Sequence, residues 1–164
     1  MIRPVRDSDA PRIAGIYNHY IAHSIATFEE QPLSDDDMLA RIHTAAEAAL
    51  PYVVAEEDGE LLGYAYASKW NGRCAYKYSV EVTVYLAPEA TGKGLGSALY
   101  DVLFGELRER GYHVAIAGIS LPNPASIALH ERFGMEKVAH FPEVGFKDEQ
   151  WIDVGYWQVT FREG

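Results

Sequence analysis

The chain is predicted to fold as one α/β domain, a mixed sheet of about seven strands with helices on both faces. Two patterns carry that prediction. Runs alternating with period two are interleaved with runs spaced at i, i+3, i+4, and a glycine-rich loop joins one of the strands to one of the helices. The third observation is size: 164 residues, 48% apolar and 23% charged, suffice for one core and are not the composition of a disordered chain. Residues 1–164 are read as a single domain, since no linker, repeat or low-complexity tract divides them.

Ile2 to Arg6 is a short candidate strand, and Asp7-Ser8-Asp9 with Pro11 supplies capping residues and a first-turn proline for a helix. Ile13, Ile16, Tyr17, Tyr20 and Ile21 then recur with helical spacing. After a loop through Phe28 and Pro32, Ser34 and Asp37 form a capping-box variant. They open a second helix with Met38, Ile42, Ala45, Ala46 and Ala49 as its inner face, which Pro51 is expected to stop. Tyr52 to Glu56 and Leu61 to Ser68 are apolar runs around Asp58-Gly59, a hairpin signal, and Lys69 to Ala75 is a loop. Val80 to Leu86 is the central strand. The loop from Pro88 to Gly96 hands it to a helix whose apolar positions are Leu95, Leu99, Val102, Leu103 and Leu107, with Gly111 as C-terminal stop. Tyr112 to Ile119 is the next strand, parallel to the central one because a helix connects them. Asn123 as N-cap and Pro124 as first residue begin a short helix ending near Phe133-Gly134. Val138 to Phe146 and Ile152 to Phe161 are the last strands, joined by the turn Lys147-Asp148-Glu149-Gln150.

The formal charge of −10 disfavours nucleic acid as a partner, because phosphate backbones call for basic patches. It leaves room for a phosphate held by backbone dipoles. Cys74, the single cysteine, cannot form an internal disulfide, and no apolar run approaches the roughly 20 residues that span a bilayer. With no signal-peptide pattern at the N-terminus, the expected location is the cytoplasm, with no membrane partner.

In the central strand Val80, Val82, Val84 and Leu86 share one face, and Glu81, Thr83 and Tyr85 the other. A carboxylate in mid-strand on a partly apolar face is a candidate general base with a pKa raised by burial. The duller reading is a structural acid paired with Arg73, Lys77 or a backbone amide. Gly92, Gly94 and Gly96 let a backbone approach an anion at a helix start whose N–H groups have no partner, or else form a plain tight turn. The loop lacks the Gly-Lys-Ser/Thr ending of a P-loop and the third-glycine spacing of a dinucleotide fold. His130 reads most simply as a satisfied histidine on a helix flank. No histidine lies near Cys74 in the sequence to activate it, and His19 with His23 lacks a third ligand, so no metal site is expected. Trp70, Tyr76 and Tyr78 suit either packing or substrate binding.

The strand, the Thr91-Gly92-Lys93-Gly94-Leu95-Gly96 loop and the Asn123 helix together resemble the GNAT superfamily of N-acetyltransferases, whose signature is Gln/Arg-x-x-Gly-x-Gly/Ala. Further collinear runs are similar to the phosphinothricin and methionine sulfoximine N-acetyltransferases within it. Among them are Ile16-Tyr17-Asn18, Ala26-Thr27-Phe28-Glu29, Gly63-Tyr64-Ala65, Leu129-His130-Glu131, Val144-Gly145-Phe146-Lys147 and Trp151-Ile152-Asp153-Val154. The resemblance implies a GNAT fold with a mostly antiparallel twisted sheet, acetyl-CoA as co-substrate without a metal, and a small-molecule amine acceptor. It also implies a homodimer. By the same resemblance, backbone groups of Thr83, Val84 and Tyr85 hold the pantetheine and acetyl arm, and Thr91, Gly92, Lys93, Gly94, Leu95 and Gly96 cradle the pyrophosphate. Asn123 lies near the thioester, Glu81 is the general base, and His130 is a second catalytic position that assists proton transfer or protonates the thiolate. Trp70, Arg73, Tyr76, Val80 and Val82 face the acceptor, with Arg73 suited to an anionic group by its planar donor fork.

Three departures from the family bear on these expectations. Thr91 replaces the usual Gln or Arg of the loop, Val82 stands where close relatives often have histidine, and Asn71 follows Trp70 where they often have arginine. Two rival readings follow: a non-catalytic acyl-CoA-binding module, and an enzyme acetylating a protein N-terminus or an aminoglycoside.

Overall fold

The computed structural model describes residues 1–162. A seven-stranded sheet in the order β1-β2-β3-β4-β5-β7-β6 forms the middle layer. Its strands are β1 (Ile2–Pro4), β2 (Tyr52–Glu57), β3 (Glu60–Lys69), β4 (Ser79–Leu86), β5 (Val114–Ser120), β6 (Glu136–Lys147) and β7 (Gln150–Thr160). Every pairing is antiparallel except that of β4 with β5, where the crossover helix forces the two strands to run the same way. Helices α1 (Ala10–His23) and α2 (Asp35–Glu47) cover one face; α3 (Leu95–Glu109) and α4 (Pro124–Arg132) lie on the other.

Strand alternation sorts the core into two clusters. Val53, Ala65, Val80 and Val82 meet Leu99, Leu103 and Leu107 of α3, while Tyr52, Val54 and Tyr64 meet Ile13, Ile16, Met38 and Ile42 of α1 and α2. The hairpin expected at Asp58-Gly59 is present, with both residues at positive φ (52° and 79°), the geometry of a two-residue turn that matches strand twist. Ser34 and Asp37 form a reciprocal cap, each side chain accepting the other's backbone N–H at 3.0 Å.

Three sequence expectations are corrected. α2 stops at Glu47, ahead of Pro51, because Ala49 turns the chain at φ 56°; Ala46 and Ala49 are therefore exposed. Val102 is also exposed, and the buried face of α3 gains Tyr100 and Phe104 instead, since a helix on a broad sheet buries a wider stripe than one residue per turn.

Candidate active site

The sheet opens where the chemistry was expected. β4 and β5 pair only over Ser79↔Val114, Val80↔Ala115 and Glu81↔Ile116, although both strands run on past that point. The Tyr78 carbonyl accepts from His113 and Val114, so residues of the same parity, Val80, Val82, Val84 and Leu86, turn their backbone groups toward β5. Thr83 and Tyr85 turn theirs toward β3, where they pair with Tyr66 and Tyr64. Of the three residues expected to hold the acyl arm through their backbones, only Val84 thus offers peptide groups to the opening. The side chains of Thr83 and Tyr85 instead border the cleft. Tyr20 donates its hydroxyl to the Leu86 carbonyl at 2.5 Å, closing the far end of the opened strand.

Glu81 lies in this cleft of about 440 Å³. It makes no hydrogen bond or ion pair among the described residues, and burial alone pushes its carboxyl up from the usual glutamate value. Pairing with Arg73 or Lys77 does not occur. A half-buried, unpartnered carboxylate with a raised pKa is poised to accept a proton rather than to hold a structural cation.

At the cleft's other end the chain leaves a short turn, Pro88–Ala90, passes through Gly92 and Gly94 at φ 78° and 79°, and enters α3 at Leu95. The first helical bond runs from Ala98 N–H to the Gly94 carbonyl, and no side chain caps the start. The N–H groups of Leu95, Gly96 and Ser97 are therefore left pointing out of the helix, an arrangement suited to a diphosphate. A Cβ on Gly96 would meet the Leu129 side chain at 3.2 Å, so glycine there lets α3 and α4 approach. The Thr91 hydroxyl donates to the Pro88 carbonyl at 3.1 Å, folding the loop back on itself where the family's longer side chain would extend. Arg132 reaches the same helix start, donating to the Ser97 hydroxyl at 2.8 Å, and no sequence motif marked it.

Asn123 caps α4, its side-chain oxygen accepting from Ser126 N–H at 3.2 Å. Its amide NH₂ remains available to the cleft it lines. His130 is only 4% exposed, and both ring nitrogens are engaged. Nδ1 lies 2.7 Å from the Ser126 carbonyl, which can only accept, so Nδ1 carries the proton and Nε2 accepts from the Tyr100 hydroxyl at 2.9 Å. Burial holds the imidazole below its ordinary pKa. His130 lines the same cleft as Glu81, with both nitrogens of its neutral ring hydrogen-bonded.

The five expected acceptor residues do not converge on one cavity. Val80 and Val82 turn their side chains into the α3 core, opposite Glu81, because odd and even positions of a strand face apart, although Val82 still borders the Glu81 cleft. Arg73 and Tyr76 are exposed and, with Val80, line a separate cavity of about 440 Å³. Trp70 packs edge-on against Tyr156 at 5.8 Å. What faces Glu81 across the strand pair is Ser68, with Tyr66 opposite Thr83. The segment after α1 is held over this face from β6. Lys147, 3% exposed, donates to the Ser24 and Thr27 carbonyls at 2.8 Å each, and a side chain on Gly145 would strike the Phe28 ring at 2.4 Å. The runs Ala26-Thr27-Phe28-Glu29 and Val144-Gly145-Phe146-Lys147 are thus one structural unit. Nothing in their separate spacing signalled the contact.

An opened parallel strand pair, a capless helix start and an unpaired carboxylate line one cleft, an arrangement suited to transfer of an acyl group from a thioester. Residues 14–135 match the acetyltransferase (GNAT) family, to which the chain belongs, and its members use acetyl-CoA. It is 40% identical to a phosphinothricin N-acetyltransferase of Alcaligenes faecalis, over 99% of this chain and 83% of that one. It is 36% identical to an L-methionine sulfoximine/L-methionine sulfone acetyltransferase of Salmonella typhimurium, over 99% and 95%. The structure of a GNAT superfamily phosphinothricin acetyltransferase from Sinorhizobium meliloti in complex with acetyl-CoA superposes with a TM-score of 0.97 at 39% identity, covering 100% of this chain and 89% of that one.

Proposed function

We infer that this enzyme acetylates the α-amino group of a small amino acid or analogue, of the kind exemplified by phosphinothricin or methionine sulfoximine and sulfone, with Glu81 as general base. Acetyl-CoA supplies the activated acetyl group as a thioester. The N–H groups at the start of α3 take its diphosphate, and the free Val84 N–H lies where it can polarise the acyl carbonyl. Glu81 removes the proton as the amine attacks, directly or through one water. His130 is a positioning residue: it fixes the Tyr100 hydroxyl and so the packing of α3 against α4.

Magnitudes place Glu81 in proportion. An α-amino group of pKa near 8 is about one-tenth neutral at pH 7, so supplying the free base is worth about 1.4 kcal/mol. Most of the acceleration then comes from holding the amine against the acyl carbon and from the strand amide. The observation that carries the proposal is the partnerless Glu81 carboxyl beside the opened strands.

Release of CoA by the purified protein with acetyl-CoA and a panel of L-amino acids tests this reading; no release with any of them would favour the acyl-CoA-binding module. A peptide beginning with alanine belongs in the panel. A ribosomal-protein-alanine N-acetyltransferase of Brucella melitensis also superposes, with a TM-score of 0.96 at 33% identity over 98% of this chain and 99% of that one. Peptide acetylation exceeding that of every free amino acid would replace the proposed acceptor.

Two further features complete the proposal. Phe141, Val144, Phe146 and Trp151 stand 48–66% exposed on β6 and β7 at the open edge of the sheet, which supports a homodimer closing over that edge. The exposed free thiol of Cys74 suits a reducing cytoplasm.

A further inference from the structure

Acetyl-CoA carries its negative charge in a diphosphate and a ribose phosphate. A chain of net charge −10 repels that charge overall, so cations placed beside the backbone N–H groups count for more. The loop ahead of α3 is short of them. Thr91 stands where the family signature carries Gln or Arg, and its hydroxyl is turned back to the Pro88 carbonyl at 3.1 Å. Lys93, between Gly92 and Gly94, is the loop's own cation.

A second cation comes from α4. Gly96 lets α3 and α4 close on each other at Leu129, and α4 borders the Glu81 cleft through Ala125, Ser126, Leu129 and His130. Arg132 follows Leu129 by three positions, on the same side of the helix, and donates from Nη1 to the Ser97 hydroxyl at 2.8 Å. Ser97 is one of the residues at the start of α3 whose backbone N–H has no helical partner. Arg3, Arg12, Arg41 and Arg110 are each ion-paired with a carboxylate, whereas the exposed Arg132 meets none among the described residues. Its guanidinium is thus fixed beside the free N–H groups by a single bond, and its other N–H donors are unused.

We propose that Arg132 pairs with the diphosphate of acetyl-CoA and supplies from α4 the side-chain contact that Thr91 does not make from the loop. The Ser97 hydroxyl holds the guanidinium over the helix start. Having accepted that bond, it keeps its own hydrogen for a phosphate oxygen. The planar fork matches two oxygens of one phosphate, and such a charge-assisted pair is stronger than a bond from a neutral amide. The duller role for the same contact is a tie between α3 and α4 that touches no ligand.

Calorimetry with CoA separates the two, comparing the parent with Arg132→Gln, Arg132→Lys and the double variant Thr91→Arg/Arg132→Gln. Arg132→Gln should bind roughly 3- to 10-fold more weakly, and Arg132→Lys, which keeps the charge without the fork, should fall between it and the parent. The double variant should recover most of the lost affinity, since it returns a cation to the loop. Added salt should weaken the parent more than Arg132→Gln. Dephospho-CoA, which keeps the diphosphate and lacks the ribose phosphate, should give the same ratio of parent to variant. A ratio that collapses with dephospho-CoA would move Arg132 to the ribose phosphate and overturn the diphosphate contact. Unchanged affinity in Arg132→Gln, or a loss that comes with a lower urea midpoint and is not recovered by Thr91→Arg, would make Arg132 a tie between helices and overturn the proposal.

Discussion

The two faces of the sheet are built from different materials. On the α3 face Val80, Val82, Leu99, Leu103 and Leu107 make an aliphatic layer whose members are at most 3% exposed. On the α1 and α2 face, the side of Glu81, Tyr17, Tyr20, Tyr52, Tyr64, Tyr66 and Tyr85 line two cavities. Tyr17 illustrates the contrast: its hydroxyl touches Thr27 and Glu29, and burial together with the Glu29 contact pushes its pKa up to about 12. One strand serves both faces, so a single residue step separates a packing position from a chemical one.

The largest effect should come from the aliphatic side. Leu103→Ala removes a wholly buried side chain and should cost about 2–5 kcal/mol in urea unfolding, with kcat unchanged where the variant stays folded. Tyr64→Phe, opposite it in character, should cost under about 1.5 kcal/mol. Equal costs would mean that the aromatic face is as much a structural core as the aliphatic one.

Glu81→Gln comes next, and it should separate activity from stability. At pH 7 kcat/KM should fall roughly 10- to 100-fold, and the deficit should narrow above pH 9, where the amine supplies its own free base. A deficit constant with pH would remove Glu81 from proton transfer. Both outcomes read on the chemical side of β4, since strand alternation turns the Glu81 side chain away from Val80 and Val82.

The difference between the faces also explains what was legible beforehand. Period-two alternation in β4 and the glycines before α3 are local signals, and the alternation, the parallel pairing of β4 with β5, the Ser34 cap and the Asn123 cap all appear where the sequence placed them. Which residues face Glu81 was not legible, because that depends on how β3 is paired in register. That brings Ser68 and Tyr66 to it and leaves Arg73 and Tyr76 elsewhere. Nor could the sequence show that His130 is saturated: its partner Tyr100 is thirty positions away on another helix.

Where the faces meet, at the start of α3, the effect should be smaller and specific to ligand. Gly94→Ala places a side chain at φ 79° and should cost about 1 kcal/mol of stability while weakening acetyl-CoA binding about 5-fold, read by calorimetry. Gly59→Ala imposes the same φ of 79° in the β2–β3 hairpin and should cost a similar stability with no change in binding. A matched loss of affinity in both would show a general loosening rather than a phosphate cradle.

The smallest effect is the most diagnostic, because the two faces should titrate with opposite signs. Glu81 keeps its proton to higher pH in the native state than in the unfolded chain, since burial raises its folded pKa. As pH rises from about 4.5, the unfolded chain gives up that proton first, so stability is greatest below that value and falls through the folded pKa. His130 behaves in reverse: burial lowers its folded pKa, the unfolded chain binds the proton first as pH drops below about 6.5, and stability is lost on the acid side. Urea midpoints should therefore show Glu81→Gln more stable than the parent at pH 7 and converging with it near pH 4. His130→Gln should have a flatter acid limb than the parent between pH 6.5 and 5, whatever its stability at pH 7. If Glu81→Gln is the less stable protein at neutral pH, its carboxylate has a cationic partner in solution, and the contrast between a packing face and a chemical face fails at its central residue.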